Sequence, residues 1–201
     1  MTDPAGGAPT PPSSNWQTPP PPAPGPGPGG FNPNFQPAQR EAGPAPGVTY
    51  ADLTNRIIAL IVDAVIVGVA GAIVSFVFGA IAVGGASILF LFVGGIVNAA
   101  ISVVYFVYGW TKMRASFGQK FLNLETVNAA DGATLTQNQS IRRWAFLWGP
   151  GAVIGIVPFL ALFAWPLQVL YGLYLLYTTN QSPKGQGFHD LQAGTVVVKR
   201  G

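Results

Sequence analysis

From Arg56 to Trp110 the chain is Ile, Val, Ala, Phe, Leu and Gly with a few Ser, Asn and Tyr, and its only charges are Arg56 and Asp63. A bilayer crossing takes about 20 apolar residues. The run therefore predicts two helices, about Thr54 to Ala82 and about Ile88 to Trp110, joined by the uncharged turn Gly84-Gly85-Ala86-Ser87. A second uncharged stretch, Trp144 to Thr179, is interrupted by Pro158 and Pro166. It predicts a tight pair of crossings turning near Pro158 to Trp165, with a single tilted crossing as the rival. Between the two stretches the pattern changes. Phe121 to Val127 alternates weakly and Asn128-Ala129-Ala130-Asp131-Gly132 is a turn signal, which predicts a small β-hairpin. Thr136 and Gln139 form the Thr-x-x-Gln signature of a helix start, ahead of Arg142, Arg143 and Trp144. In the tail, Phe188 to Gln192 reads as a short helix ended by Ala193-Gly194, and Thr195 to Val198 as β-prone. The expected fold is an all-α polytopic membrane protein with four transmembrane helices, three being the rival count. A small cytoplasmic β-hairpin lies between the second and third.

The first 48 residues break this pattern. Runs such as Pro19-Pro20-Pro21-Pro22 form neither helix nor sheet ladders, and the segment lacks the apolar content to offset ordering entropy. Residues 1–49 are expected to be a disordered, polyproline-rich tail, and 50–201 a membrane domain. Two uses of the tail stand side by side. One is a solvated spacer. The other is a docking arm for a protein partner, with Trp16, Phe31 and Phe35 as anchors. The first 50 residues hold no apolar core of a signal peptide, so the first crossing is expected to target the chain itself.

Charge changes the picture in one respect. Charged residues are 8% of the 201-residue chain, against roughly 25% in soluble domains, and the basic ones cluster. Lys112, Arg114, Lys120, Arg142 and Arg143 lie between the second and third apolar segments, and Lys184, Lys199 and Arg200 follow the last. The turn between the first two carries none. Basic residues near crossings favour the cytoplasmic side, which puts the N-terminus and the tail in the cytoplasm and makes the number of crossings even. The same residues suit anionic lipid headgroups. With no cysteine and one histidine, no thiolate or histidine metal cluster is expected, and no cofactor. No nucleophile–base set, phosphate loop or basic–aromatic patch is present, so neither an enzyme nor a nucleic-acid binder is expected.

Chemistry is expected where polar residues interrupt the apolar runs. Asp63 follows Arg56 by seven residues, two helical turns or about 10.5 Å, on nearly the same face. An ionised side chain within a crossing costs roughly 2.5–3.5 kcal/mol or more, so it needs a partner or a task. On the second helix Asn98, Ser102 and Tyr105 form one stripe. Antiparallel counting brings Ser102 or Tyr105 level with Asp63 as hydrogen-bond donors. Gly71, Ser75 and Gly79 form a small-residue stripe that admits a close neighbour. Asp52 and Arg56, four apart, can also pair.

Three blocks resemble the RDD family of membrane proteins. They are Asn55-Arg56-Ile57-Ile58-Ala59-Leu60-Ile61-Val62-Asp63; Ser116-Phe117-Gly118-Gln119-Lys120-Phe121-Leu122 with Asp131-Gly132; and His189-Asp190-Leu191-Gln192-Ala193-Gly194-Thr195-Val196-Val197-Val198. The resemblance maps the family's arginine and two aspartates onto Arg56, Asp63 and Asp190. It adds Gly118, His189, Gly194 and Thr195 in support at the cytoplasmic face. Apart from the resemblance, Asp190 is expected to hold the tail against Arg142 or Arg143 there. The Pro-rich leader is similar to those of actinobacterial members, so a bacterial cell membrane is implied.

Two function classes follow. In one, the Arg56–Asp63–Asp190 network with Asn98, Ser102 and Tyr105 serves a small ion or solute transporter, for which four crossings imply a homo-oligomer. In the other, the protein is a non-transporting scaffold whose tail or loop docks a partner, and the polar network is structural.

Overall fold

The computed structural model describes residues 43–45, 47–83, 88–157 and 159–200. Of the Pro-rich tail expected over residues 1–49, residues 1–42 with the aromatic anchors, and residue 46, lie outside the described residues, as do the turn at 84–87 and Pro158.

The first apolar run is one helix, α1 (Leu53–Val83), and the second is α2 (Leu89–Tyr108). They pack along their lengths. Asn98 Nδ2 donates to Ser75 Oγ at 3.0 Å, so the polar stripe of α2 meets the small-residue stripe of α1. Among the described residues these are the two helices long and apolar enough to cross a membrane, the second counted through Met113. A single π turn, Gly109–Met113, ends α2.

The connection that follows is a folded cap. Ser116 and Gln119 form a reciprocal capping box that starts the short helix α3 (Phe117–Phe121). Strand β2 (Leu124–Asn128) comes next, and the expected box at Thr136 and Gln139 starts α4 (Gln137–Leu147). After Trp148 the chain continues as α5 (Gly149–Ile156), breaks at Val157 and returns as α6 (Ala161–Gln181), packed against α5. The tail forms α7 (Phe188–Ala193) and strand β3 (Thr195–Arg200). Gly194, at φ 65°, makes the left-handed turn between them.

The expected self-contained hairpin is not what forms. β3 is the centre of a three-stranded antiparallel sheet in the order β1-β3-β2, with β1 (Val48–Tyr50) at one edge. Leu124 to Asn128 pair with Lys199 to Thr195, and Val48 to Tyr50 pair with Arg200 to Val198. The return leg after the Gly132 turn closes one bridge, Val127 to Thr134, because α4 begins at Gln137 and leaves no chain for a second strand. Val196, Val197 and Val198 of the central strand are all buried. Arg114, at φ 60°, ties this corner together by donating to Glu125 (2.9 Å) and to the Gly132 carbonyl (2.8 Å).

The cap sets where α1 is bare. At 31 residues the helix is about 46 Å long, against about 30 Å of hydrocarbon. The residues of α1 that are fully buried are Ala59 and Asp63, and both touch α3. Beyond them Val65, Val69, Ile73 and Phe76 are exposed. From Asp63 to Val83 the rise is about 30 Å. Asp63 therefore sits where the capped part of α1 ends and the bare apolar part begins, rather than deep within a crossing.

Candidate functional site

Two buried carboxylates organise the capped end, and each has its own partners. Asp63, 3% exposed, is held by three donors. Ser116 Oγ donates to Oδ2 at 2.5 Å. The Gly118 amide and the Tyr105 hydroxyl donate to Oδ1 at 2.8 and 2.7 Å. The antiparallel count thus finds its partner in Tyr105. Ser102 is engaged elsewhere and accepts from Trp144 Nε1 at 2.9 Å.

Ser116 and Gly118 were not anticipated as partners of Asp63. They reach it because the capping box leaves the start of α3 facing α1. Gln119 extends the junction: its Oε1 accepts from the Ser116 amide (3.0 Å), Trp110 Nε1 (3.1 Å) and Thr126 Oγ1 (3.0 Å). One amide oxygen thus joins the end of α2, α3 and β2. The Ser-x-x-Gln spacing was a readable signal for the local box, but not for the acid 53 residues earlier.

Asp190 has no solvent-exposed side-chain surface and lies between two guanidiniums. Arg56 Nη2 donates to Oδ2 at 3.0 Å, and Arg143 Nη1 donates to Oδ1. Thr195 Oγ1 donates to the same oxygen at 3.1 Å, and the Gly187 amide donates to Oδ2 at 3.2 Å. Arg56 Nη1 also reaches the Gly185 carbonyl. Arg143 stacks over the Trp110 ring, 4.9 Å from guanidinium carbon to centroid. Arg143 is thus the partner of Asp190, and Arg142 is exposed. The Asp52 carboxylate accepts from Asn55 at 2.8 and 2.6 Å, and Arg56 turns to Asp190. The three residues singled out by the family pattern split between two clusters: Arg56 joins Asp190, while Asp63 joins Tyr105, Ser116 and Gly118.

His189 Nε2 lies 3.5 Å from Asp190 Oδ2. Burial, with Arg143 and Arg56 nearby, holds the imidazole well below the usual histidine range. Asp190 favours a proton on the ring, but its charge is already shared by two guanidiniums, so the ring is neutral at pH 7. The unfolded ring takes up a proton below about pH 6.5 and the folded one does not. Stability therefore falls as pH drops through that window and is flat above it. The unfolding midpoint of the solubilised protein is expected to decline between about pH 7 and 5, and His189→Gln to remove that part of the decline. An unchanged slope in the variant contradicts the assignment.

Both clusters line one cavity of about 580 Å³, in the cleft between α1 and α6, two helices that barely touch. Arg56, Asp63, Ser116, Arg143 and His189 bound it at the capped end. Ile57, Leu60 and Gly68 of α1 face Val169, Gly172 and Leu176 of α6 along its walls. Among the described residues, no group of His, Asp and Glu is placed to hold a metal ion.

The RDD family model matches residues 50–194. No curated protein and no solved structure matches the chain.

Proposed function

The chain belongs to the RDD family, and from that membership we propose that it is a multi-pass protein of the bacterial cell membrane that moves a small charged solute through the cleft between α1 and α6. One observation carries the reading. The cavity of about 580 Å³ brings residues of both carboxylate clusters to a single space, with Arg56, Asp63 and Arg143 on its wall. The basic residues of the capped end favour the cytoplasm for that end. In this arrangement α1 and α2 cross, the α4–α5 arm and α6 form the second pair, and both termini are cytoplasmic. Four crossings are few for a transport path, so a homo-oligomer in anionic lipid completes the proposal.

The test is a flux assay on protein reconstituted in vesicles, with imposed ion, pH and solute gradients. Asp63→Asn keeps the side-chain shape and removes the charge, and a fall in flux of tenfold or more is expected. If every flux is unchanged in a variant that still elutes as a single species, the transport reading is wrong. Deleting residues 1–48 separates the alternative: a scaffold that docks a partner through its Pro-rich tail loses its role, whereas a transporter keeps its flux.

A further inference from the structure

We propose that Trp148 and Gln168 form a gate between the cleft and a second cavity farther from the cap, and that Gln168 and Tyr171 hold it shut. This deepens the transport reading above, on which it rests, by naming the moving part of the path.

The second cavity, of about 370 Å³, lies between α2, α5 and α6. Gly95, Asn98 and Ser102 of α2 line it, with Gly151 and Gly155 of α5. Along α2 it extends to Gly95, about 15 Å beyond the level of Tyr105 and its partner Asp63. The cleft follows α1 to Gly68, about 7.5 Å beyond Asp63. The two spaces therefore overlap in level, and the second continues outward. At its far end the backbones of α2 and α5 meet: a Cβ on Gly95 would stand 2.8 Å from Ile156 Cα. Toward the cap, Trp148 and Gln168 belong to the wall of both spaces.

The latch follows from the end of α4. The last four carbonyls of a helix have no partner within it, and within lipid they cannot turn to water. In α4 they belong to Trp144, Ala145, Phe146 and Leu147, and the Trp148 amide covers the first two. Pro150 stands where a continuing helix would offer Phe146 an N–H, and proline has none. Helix α6 supplies both missing donors. Tyr171 Oη donates to the Phe146 carbonyl at 2.5 Å, and Gln168 Nε2 donates to the Leu147 carbonyl at 3.1 Å. The Gln168 side chain thus reaches across from α6 to α5. Gly151 makes room for it, since a Cβ there would stand 2.4 Å from Gln168 Oε1.

The shut arrangement leaves polar groups unmet. Gln168 Oε1 and Trp148 Nε1 are buried with no hydrogen-bond partner among the described residues. A swing of Gln168 into either cavity gives Oε1 a polar surrounding, uncovers the wall beside Trp148 and takes the donor from Leu147. Each state satisfies one polar group at the expense of another, which is the near-balance that a two-state element needs.

The chain has no cysteine, so single cysteines report on each space. Gly68→Cys lies in the cleft and Gly155→Cys in the second cavity, and a Cβ at either position meets nothing within 4 Å. Each full-length variant in nanodiscs is reacted with a charged, water-soluble methanethiosulfonate. With the latch intact, Gly155→Cys should react at least tenfold more slowly than Gly68→Cys. Gln168→Met keeps the volume and loses the donor. Combined with Tyr171→Phe, it should speed Gly155→Cys tenfold or more and leave Gly68→Cys unchanged. Gly151→Ala displaces Gln168 without touching either donor. It should have the same effect, and it carries the test if the latch variant does not fold. Equal rates at the two positions with the latch intact, or no acceleration at Gly155→Cys in a variant that elutes as a single species, overturns the proposal. Flux is measured separately. Acceleration at Gly155→Cys without flux in any variant keeps the latch between the cavities and removes the transport reading. Flux that persists with no acceleration does the reverse.

Discussion

Asp190→Asn is expected to destabilise the protein by about 3–5 kcal/mol, the cost typical of removing one partner from a buried ion pair. The asymmetry of the site makes this the largest single-residue effect. The carboxylate is wholly buried and accepts from Arg56, Arg143, Thr195 and the Gly187 amide. Asparagine offers one oxygen where four donors converge on two, and turns an amide NH₂ toward one of the two guanidiniums. Both arginines then lose, in a low-dielectric site, the carboxylate that they share. The residues involved belong to α1, α4, α7 and β3, so the damage should spread through the cap. Thermal unfolding of the solubilised protein should show a lower midpoint. Limited proteolysis should release the C-terminal strand early, because β3 is anchored through Thr195 beside Asp190. A midpoint and a digestion pattern equal to wild type would falsify the reading of Asp190 as the clamp of this end.

Gly118→Ala is expected to rank second, at about 1–3 kcal/mol, the usual range for overpacking a tight contact. A Cβ at this position meets the Ala59 carbonyl oxygen at 2.2 Å and the Asp63 carboxyl carbon at 3.0 Å. The first of these is backbone in the middle of a helix and cannot swing aside. Helix α3 must therefore move off α1, and the Gly118 amide and Ser116 hydroxyl leave Asp63 together. The effect should exceed that of Gly155→Ala, where nothing lies within 4 Å of the added carbon. Equal unfolding midpoints for the two variants would mean that the α1–α3 contact is looser than described.

What could be read in the sequence was what depends on near neighbours. The apolar runs placed α1 and α2 to within a residue or two at most ends. The Thr136-x-x-Gln139 spacing marked the start of α4, and Gly194 marked the turn from α7 to β3. Each rests on periodicity or on a contact within four residues. The expected proximity of Tyr105 and Asp63 also held, because two antiparallel helices joined by a short turn fix their mutual level by counting. The pairings that define the site are of another kind. Arg56 lies on the face of Asp63 by spacing, yet it turns to an acid 134 residues later, and Asp63 is taken by α3. Helical periodicity says which residues share a face and says nothing of what packs against it. The same holds for β2. Its alternation was legible, but its partner was the distant Val-Val-Val strand, which a hairpin reading based on adjacency does not reach.

The grip of the cap on α1 is expected to make the protein sensitive to bilayer thickness. The bare length of α1 is set by where α3 stops against Asp63, and α3 carries Phe117 and Phe121 on its outer side, both exposed. In a leaflet that is too thick these rings would be drawn into the acyl region, and in one that is too thin they would be left in water. Mismatch costs fractions of a kcal/mol per ångström. That force falls on the short helix that supplies Ser116 and Gly118, so lipid chain length should act as a lever on the hydrogen bonds that hold Asp63.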